Sequence, residues 1–132
     1  MIILLFISCV LGSISYYESS ESVSISNTTT MQNKVTMMLN VTEAFDYLRE
    51  WNAEIHSHDG NHNIRICLTQ EGPLILNEHV WNPGPSWGVA FGFIVLKLEV
   101  GEHTLDIKYG TGSDGLNVAI RRARIMASEI NL

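Results

Sequence analysis

The sequence predicts an all-β protein, an antiparallel β-sandwich built as a single domain. Three observations carry the prediction. Leu105, Ile107 and Tyr109 alternate strictly with polar residues, and Val35, Met37, Leu39 and Val41 recur with the same period of two. Phe91, Phe93, Val95 and Leu98 form a second apolar run close by. Glycines at Gly101, Gly110, Gly112 and Gly115 punctuate these runs. Period-two alternation of β-branched and aromatic residues, bounded by glycine, is the pattern of strands with one face buried.

The chain opens on Ile2–Leu11, apolar and uncharged, followed by the small residues Gly12, Ser13 and Ser15. An apolar stretch of this kind before small residues reads as a secretory signal peptide, here assigned to residues 1–15. Its positive charge comes only from the amino terminus, because no Lys or Arg precedes Lys34. It is too short for the roughly 20 residues of a spanning helix, so no membrane insertion is expected after cleavage. Residues 16–33 are rich in Ser, Thr, Asn and Glu and read as a polar lead-in, with one short strand around Val23 and Ile25. The sandwich is assigned to residues 34–132.

Asn27-Thr28-Thr29 and Asn40-Val41-Thr42 are N-glycosylation acceptors, which agrees with secretion. Asn40 falls within the strand Lys34–Val41, so its side chain must face solvent to carry a glycan. Residues 42–55 fit two patterns. Phe45, Leu48 and Ile55 have helical spacing, whereas Tyr47, Arg49, Trp51, Ala53 and Ile55 alternate as in a strand. The strand is preferred, because Asp59-Gly60 is a hairpin signal that would join it to Ile64–Leu68. A short strand Leu74–Val80 follows. Pro83 and Pro85 then lack ladder donors and place Trp81–Trp87 in a loop. The strands through Phe93 and Ile107 are expected to pair across Gly101, with Phe91, Phe93 and Val95 facing Leu105, Ile107 and Tyr109 in the core. Asp106 and Lys108, on the other face, are expected to tolerate Ala. Residues 116–130 have helical spacing at Leu116, Ile120, Ala123, Ala127 and Ile130.

From Asn61 onward the strand chemistry resembles that of small jelly-roll modules of secreted proteins and of viral or phage fibres. The residues that carry the resemblance are Asn63–Leu68, Leu74–Glu78, Phe93–Leu98, Gly101–Tyr109 and Ile120–Ile125. It extends in spirit to tumour-necrosis-factor-like and complement-type heads. The resemblance implies that Ile120–Ile125 lies inside a sheet, as a strand with a bulge. It implies a scaffold and no particular site.

Eight Lys and Arg against fourteen Asp and Glu give a net charge of −6, a poor basis for binding nucleic acid. Arg121, Arg122 and Arg124 cluster and could hold an anion, but read rather as solvated strand-face residues or as partners for the chain's carboxylates. Cys9 would leave with the signal, so Cys67 stands alone as a semi-buried thiol and no disulfide staples the fold. Trp81 and Trp87 bracket the proline loop and are candidate ligand contacts, since tryptophans on a rigid loop can stack on sugar rings. His56, His58 and His62 flank the predicted hairpin tip and are candidate metal ligands. No cofactor motif and no catalytic motif is present, so no enzymatic activity is expected. The expected function is that of a secreted recognition module binding a glycan or a partner protein. The alternative is a structural, self-assembling coat or matrix subunit, a possible homo-oligomer. A metal-dependent enzyme built on the three histidines is the remaining class.

Overall fold

A computed structural model describes residues 15–57 and 62–130. Nine strands account for most of them: β1 (Ser15–Ser20), β2 (Ser24–Ser26), β3 (Gln32–Val41), β4 (Phe45–Ser57), β5 (Ile64–Gln70), β6 (Leu74–Trp81), β7 (Gly88–Leu98), β8 (Gly101–Thr111) and β9 (Val118–Ile130). They form two antiparallel sheets. The first has the order β1-β9-β4-β7, with β2 also paired to β9; the second has the order β3-β8-β5-β6. The two sheets stack as a jelly-roll-like β-sandwich. The expected signal peptide, residues 1–15, lies outside the described residues except for Ser15, which begins β1. Residues 16–33, expected as a polar lead-in with one strand, supply two strands to the first sheet, β1 through Ser20 and β2 around Ile25.

Alternation fills the space between the sheets. Val35, Met37, Leu39 and Val41 of β3 point inward, as do Tyr47, Trp51, Ala53 and Ile55 of β4. Ile64, Ile66 and Leu68 of β5, Leu105, Ile107 and Tyr109 of β8, and Ile120, Ala123, Ile125 and Ala127 of β9 complete the core. Both segments with helical spacing are strands. β9 is central, hydrogen-bonded to β1 and to β4, so its backbone donors and acceptors are met by neighbours on each side. That outweighs local helix propensity, which is worth only tenths of a kcal/mol per residue. Its register against β4 shifts between Asn52 and Glu54, and Arg122 adopts a positive φ of 49°. The bulge moves β9 from one inward set, ending at Ile120, to the next, starting at Ala123.

Two expected pairings do not form. β4 and β5 are not a hairpin: β4 pairs with β7 and β9, while β5 pairs with β6 and β8. Likewise β7 and β8 belong to different sheets, so Gly101 begins the return strand of a crossover between layers. Local turn chemistry can mark a reversal without choosing which strand the chain returns to pair with. In a sandwich, consecutive strands often cross from one layer to the other so that both bury an apolar face.

Several polar side chains are buried with the core. Arg49 is fully buried, and its Nη2 donates to the carbonyls of Leu96 at 3.1 Å and Lys97 at 3.4 Å. Burial pushes the guanidinium pKa down from its ordinary value. Cys67 is also buried and free, beneath the ion pair of Arg65 with Glu78. Burial raises its thiol pKa. Asp106, expected on an open face, is 5% exposed and accepts a hydrogen bond from Thr36 Oγ1.

Candidate functional site

The most distinctive surface is the outer face of the first sheet, and β7 creates it. Along Gly88–Leu98 the even positions are small at Gly88, Ala90 and Gly92, and the odd ones are large at Val89, Phe91, Phe93 and Val95. The inner space beside the small residues is already taken. A Cβ on Gly92 would sit 2.6 Å from Trp51 Nε1 and closer still to Asn77 Oδ1; one on Gly88 would sit 2.7 Å from the Trp81 ring. Trp51 Nε1 donates to Asn77 Oδ1 at 3.3 Å across this position, which ties the two sheets together. The indole therefore fixes which face of β7 turns inward.

This overturns the expected core position of Phe91, Phe93 and Val95. They face solvent, Phe91 and Phe93 with 65% and 66% exposure, whereas their expected partners Leu105, Ile107 and Tyr109 are buried in the other sheet. Hydrophobicity alone pointed to the wrong side of β7. The signal that marks the right side is the small–large alternation opposite the large inward Trp51.

Cross-strand register extends the apolar surface. Phe93 lies opposite Glu50, Glu50 opposite Met126, and Met126 opposite Tyr17. In the next row Val95 lies opposite Leu48. Tyr17 and Met126 are also exposed. Between Phe91 and Phe93, over Leu48, Glu50 and Asn52, the surface dips into a notch of ≈ 350 Å³. Exposed Glu50 is thus a single carboxylate amid apolar neighbours.

One end of this face is charged. Glu54 accepts from Arg121 and from Arg122, each at 2.9 Å. The Arg121 hydrogen bond, with help from Arg122, holds the Glu54 carboxyl below its ordinary pKa. Arg124 pairs with Glu21 at 3.3 Å. Each arginine of the cluster therefore meets a carboxylate of the same chain, Arg121 and Arg122 sharing Glu54.

The sequence-selected residues gather at the same end. Trp87 is half-buried: the Arg121 guanidinium lies 4.0 Å from its ring centroid, and the His56 ring stacks on it at 5.2 Å. His56 Nε2 lies 2.6 Å from the Pro85 carbonyl. Trp81 is 42% exposed and packs over Gly88. His62 is nearly buried, with Nε2 2.9 Å from the Asn117 carbonyl. His58 lies outside the described residues. Among the described residues, no three His, Cys, Asp or Glu side chains group where they could hold a metal ion. A polar hollow of ≈ 340 Å³ is lined by His62, Asn63, Asn82, Gly112, Ser113 and Leu116. Asn27 and Asn40 are both exposed, Asn40 on the outward face of β3.

Neither a family model nor a curated protein matches the chain. Its fold does match solved structures. One is the Eiger TNF of S. frugiperda, with a TM-score of 0.62 and 11% identity over 90% of this chain and 93% of that one. Another is murine APRIL, at 0.60 and 10% over 89% and 98%. A third is the C-terminal domain of EclA, a sugar-binding protein, at 0.52 and 14% over 82% and 79%. The likeness is one of fold: a jelly-roll β-sandwich shared with TNF-type and carbohydrate-recognition structures.

Proposed function

We propose that the chain is a secreted, non-catalytic recognition module that takes a protein partner on the outer face of its first sheet. The observation that carries this reading is the exposed row Val89, Phe91, Phe93 and Val95, continued across the sheet by Leu48, Met126 and Tyr17. A soluble domain rarely leaves a contiguous apolar patch open unless something covers it. Aromatic side chains at the centre of such a patch are the residue types that anchor protein interfaces. The scaffold does not choose the ligand, since it carries both a TNF protein and a sugar-binding protein. Secretion is supported by the apolar leader within residues 1–15 and by the exposure of both acceptor asparagines, Asn27 and Asn40.

A second reading is a glycan site at the other surface. Trp81 is 42% exposed, and Asn82, the residue after it, lines a hollow with Asn63 and Ser113 whose amide and hydroxyl groups suit a sugar. Trp87 is less suited to such stacking, because His56 and Arg121 already lie against its ring. A third reading, a self-assembling coat or matrix subunit, makes a second copy the cover for the apolar face.

A binding screen against purified extracellular domains, run beside a glycan array and a measurement of solution mass, separates these readings. The protein-recognition reading expects a protein ligand whose binding is lost in Phe91→Ser/Phe93→Ser and kept in Trp81→Ala. Binding lost only with Trp81→Ala, together with a glycan hit, would replace it with the sugar reading. A stable oligomer that Phe91→Ser/Phe93→Ser dissociates would replace it with self-assembly.

A further inference from the structure

The apolar face has a charge at its centre, and that charge constrains what covers it. Glu50 lies directly opposite Phe93 on one side and Met126 on the other, and among the described residues it has no ion-pair or hydrogen-bond partner. A partner covering the aromatic row would also cover this carboxylate. Burying it without a counter-charge is strongly unfavourable. Whatever binds here must bring a cation to it.

The chain's own cations are engaged elsewhere. Each of its eight Lys and Arg side chains already meets an acceptor within the same molecule. The nearest on this face, Arg124, lies opposite Asn52 and is held by Glu21. A two-fold axis passing near Glu50 would bring it towards its own copy, and like charges are disfavoured there. A different protein that brings its own cation satisfies the face directly.

The notch also selects the shape of the cation. Phe91 and Phe93 are two residues apart on one strand, so their Cα atoms are separated by about 6.7 Å. Carbon contacts are about 3.5 Å. One flat group fits between the two side chains in contact with both. A guanidinium is flat, stacks on aromatic rings, and offers a carboxylate two parallel donors; an ammonium does not. We infer that the Phe91–Phe93 notch, lined on its β4 side by Glu50, is a pocket for an arginine side chain, flanked by apolar residues, on a partner protein. This inference rests on the protein-recognition reading above.

Three capped tripeptides, Leu-Arg-Leu, Leu-Lys-Leu and Leu-Gln-Leu, test it on the full chain by amide chemical-shift titration. The arginine peptide is expected to bind tightest, with shifts centred on Glu50, Asn52 and Phe91–Phe93. The lysine peptide should bind several-fold more weakly and the glutamine peptide about tenfold more weakly. Glu50→Gln should remove the preference for arginine over glutamine and leave the glutamine peptide's affinity unchanged. Phe93→Leu keeps the face apolar and should remove the preference for arginine over lysine. Equal binding of the arginine and glutamine peptides, or an arginine preference that survives Glu50→Gln, would overturn the arginine pocket while leaving protein recognition standing. Self-association through this face, seen by sedimentation and strengthened by Glu50→Gln, would overturn both in favour of a second copy.

Discussion

Adding one methyl group at Gly92 should harm this protein more than stripping most of a phenyl ring from its neighbour Phe93. In Gly92→Ala the new Cβ meets Trp51 Nε1 and Asn77 Oδ1. Trp51 is 1% exposed and cannot swing clear, so Asn77 must, and the indole N–H loses its acceptor. Overpacking typically costs ~1–3 kcal/mol, and leaving a buried donor unpaired costs another ~1–3 kcal/mol. The reduced freedom of the unfolded chain offsets ~0.4–1 kcal/mol. The net loss is about 2–4 kcal/mol from these magnitudes. Phe93→Thr keeps a strand former and removes a side chain that is two-thirds exposed. A third of the ~3–5 kcal/mol for deleting a fully buried Phe is about 1–1.5 kcal/mol. Urea unfolding followed by tryptophan fluorescence measures both. With a slope of ~1–3 kcal/mol/M, Gly92→Ala should lower the midpoint by on the order of 1–2 M and Phe93→Thr by well under 1 M. If Phe93→Thr proved the more damaging, the aromatic row would face inward, and the proposed interaction surface would not exist.

Other perturbations test the rest of the structure. Ile107→Ala, at a fully buried site, should cost ~2–5 kcal/mol in the same assay; a silent variant would contradict its place in the core. Asp106→Ala should also be measurable, at ~1–3 kcal/mol, because the carboxylate is buried against Thr36; an unchanged midpoint would restore the solvent-facing expectation. Cys67 should resist maleimide at neutral pH in the folded protein and react once urea unfolds it, since burial raises its thiol pKa; rapid labelling of the native state would place it at the surface. Glu54, with a folded pKa held below its unfolded value, stabilises the fold above the unfolded value of about 4.3, and that contribution fades as pH falls towards the folded pKa. The stability gap between wild type and Glu54→Gln should therefore be constant near neutrality and shrink in acid, and a gap that widened in acid would refute the assignment.

The residue pattern was enough to determine the class of the fold and much of its interior. Alternation placed Val35–Val41 and Leu105–Tyr109 inward, because a period of two leaves one side of a strand apolar whatever it pairs with. The glycine and proline punctuation marked where the chain turns. The cluster Arg121, Arg122 and Arg124 was legible as partners for carboxylates, because an acidic chain supplies them in excess. Tertiary structure alone decided where each turn leads. Asp59-Gly60 and Gly101 announce reversals, yet the strands they join lie in opposite sheets, and pairing across a layered core depends on residues far apart in the chain. It also decided the face of β7. Both of its sides are apolar enough to be buried, so composition could not choose between them. Trp51, some forty residues earlier in the chain, fills the inner space at Gly92, as Trp81 does at Gly88, so that Phe91 and Phe93 turn out to solvent.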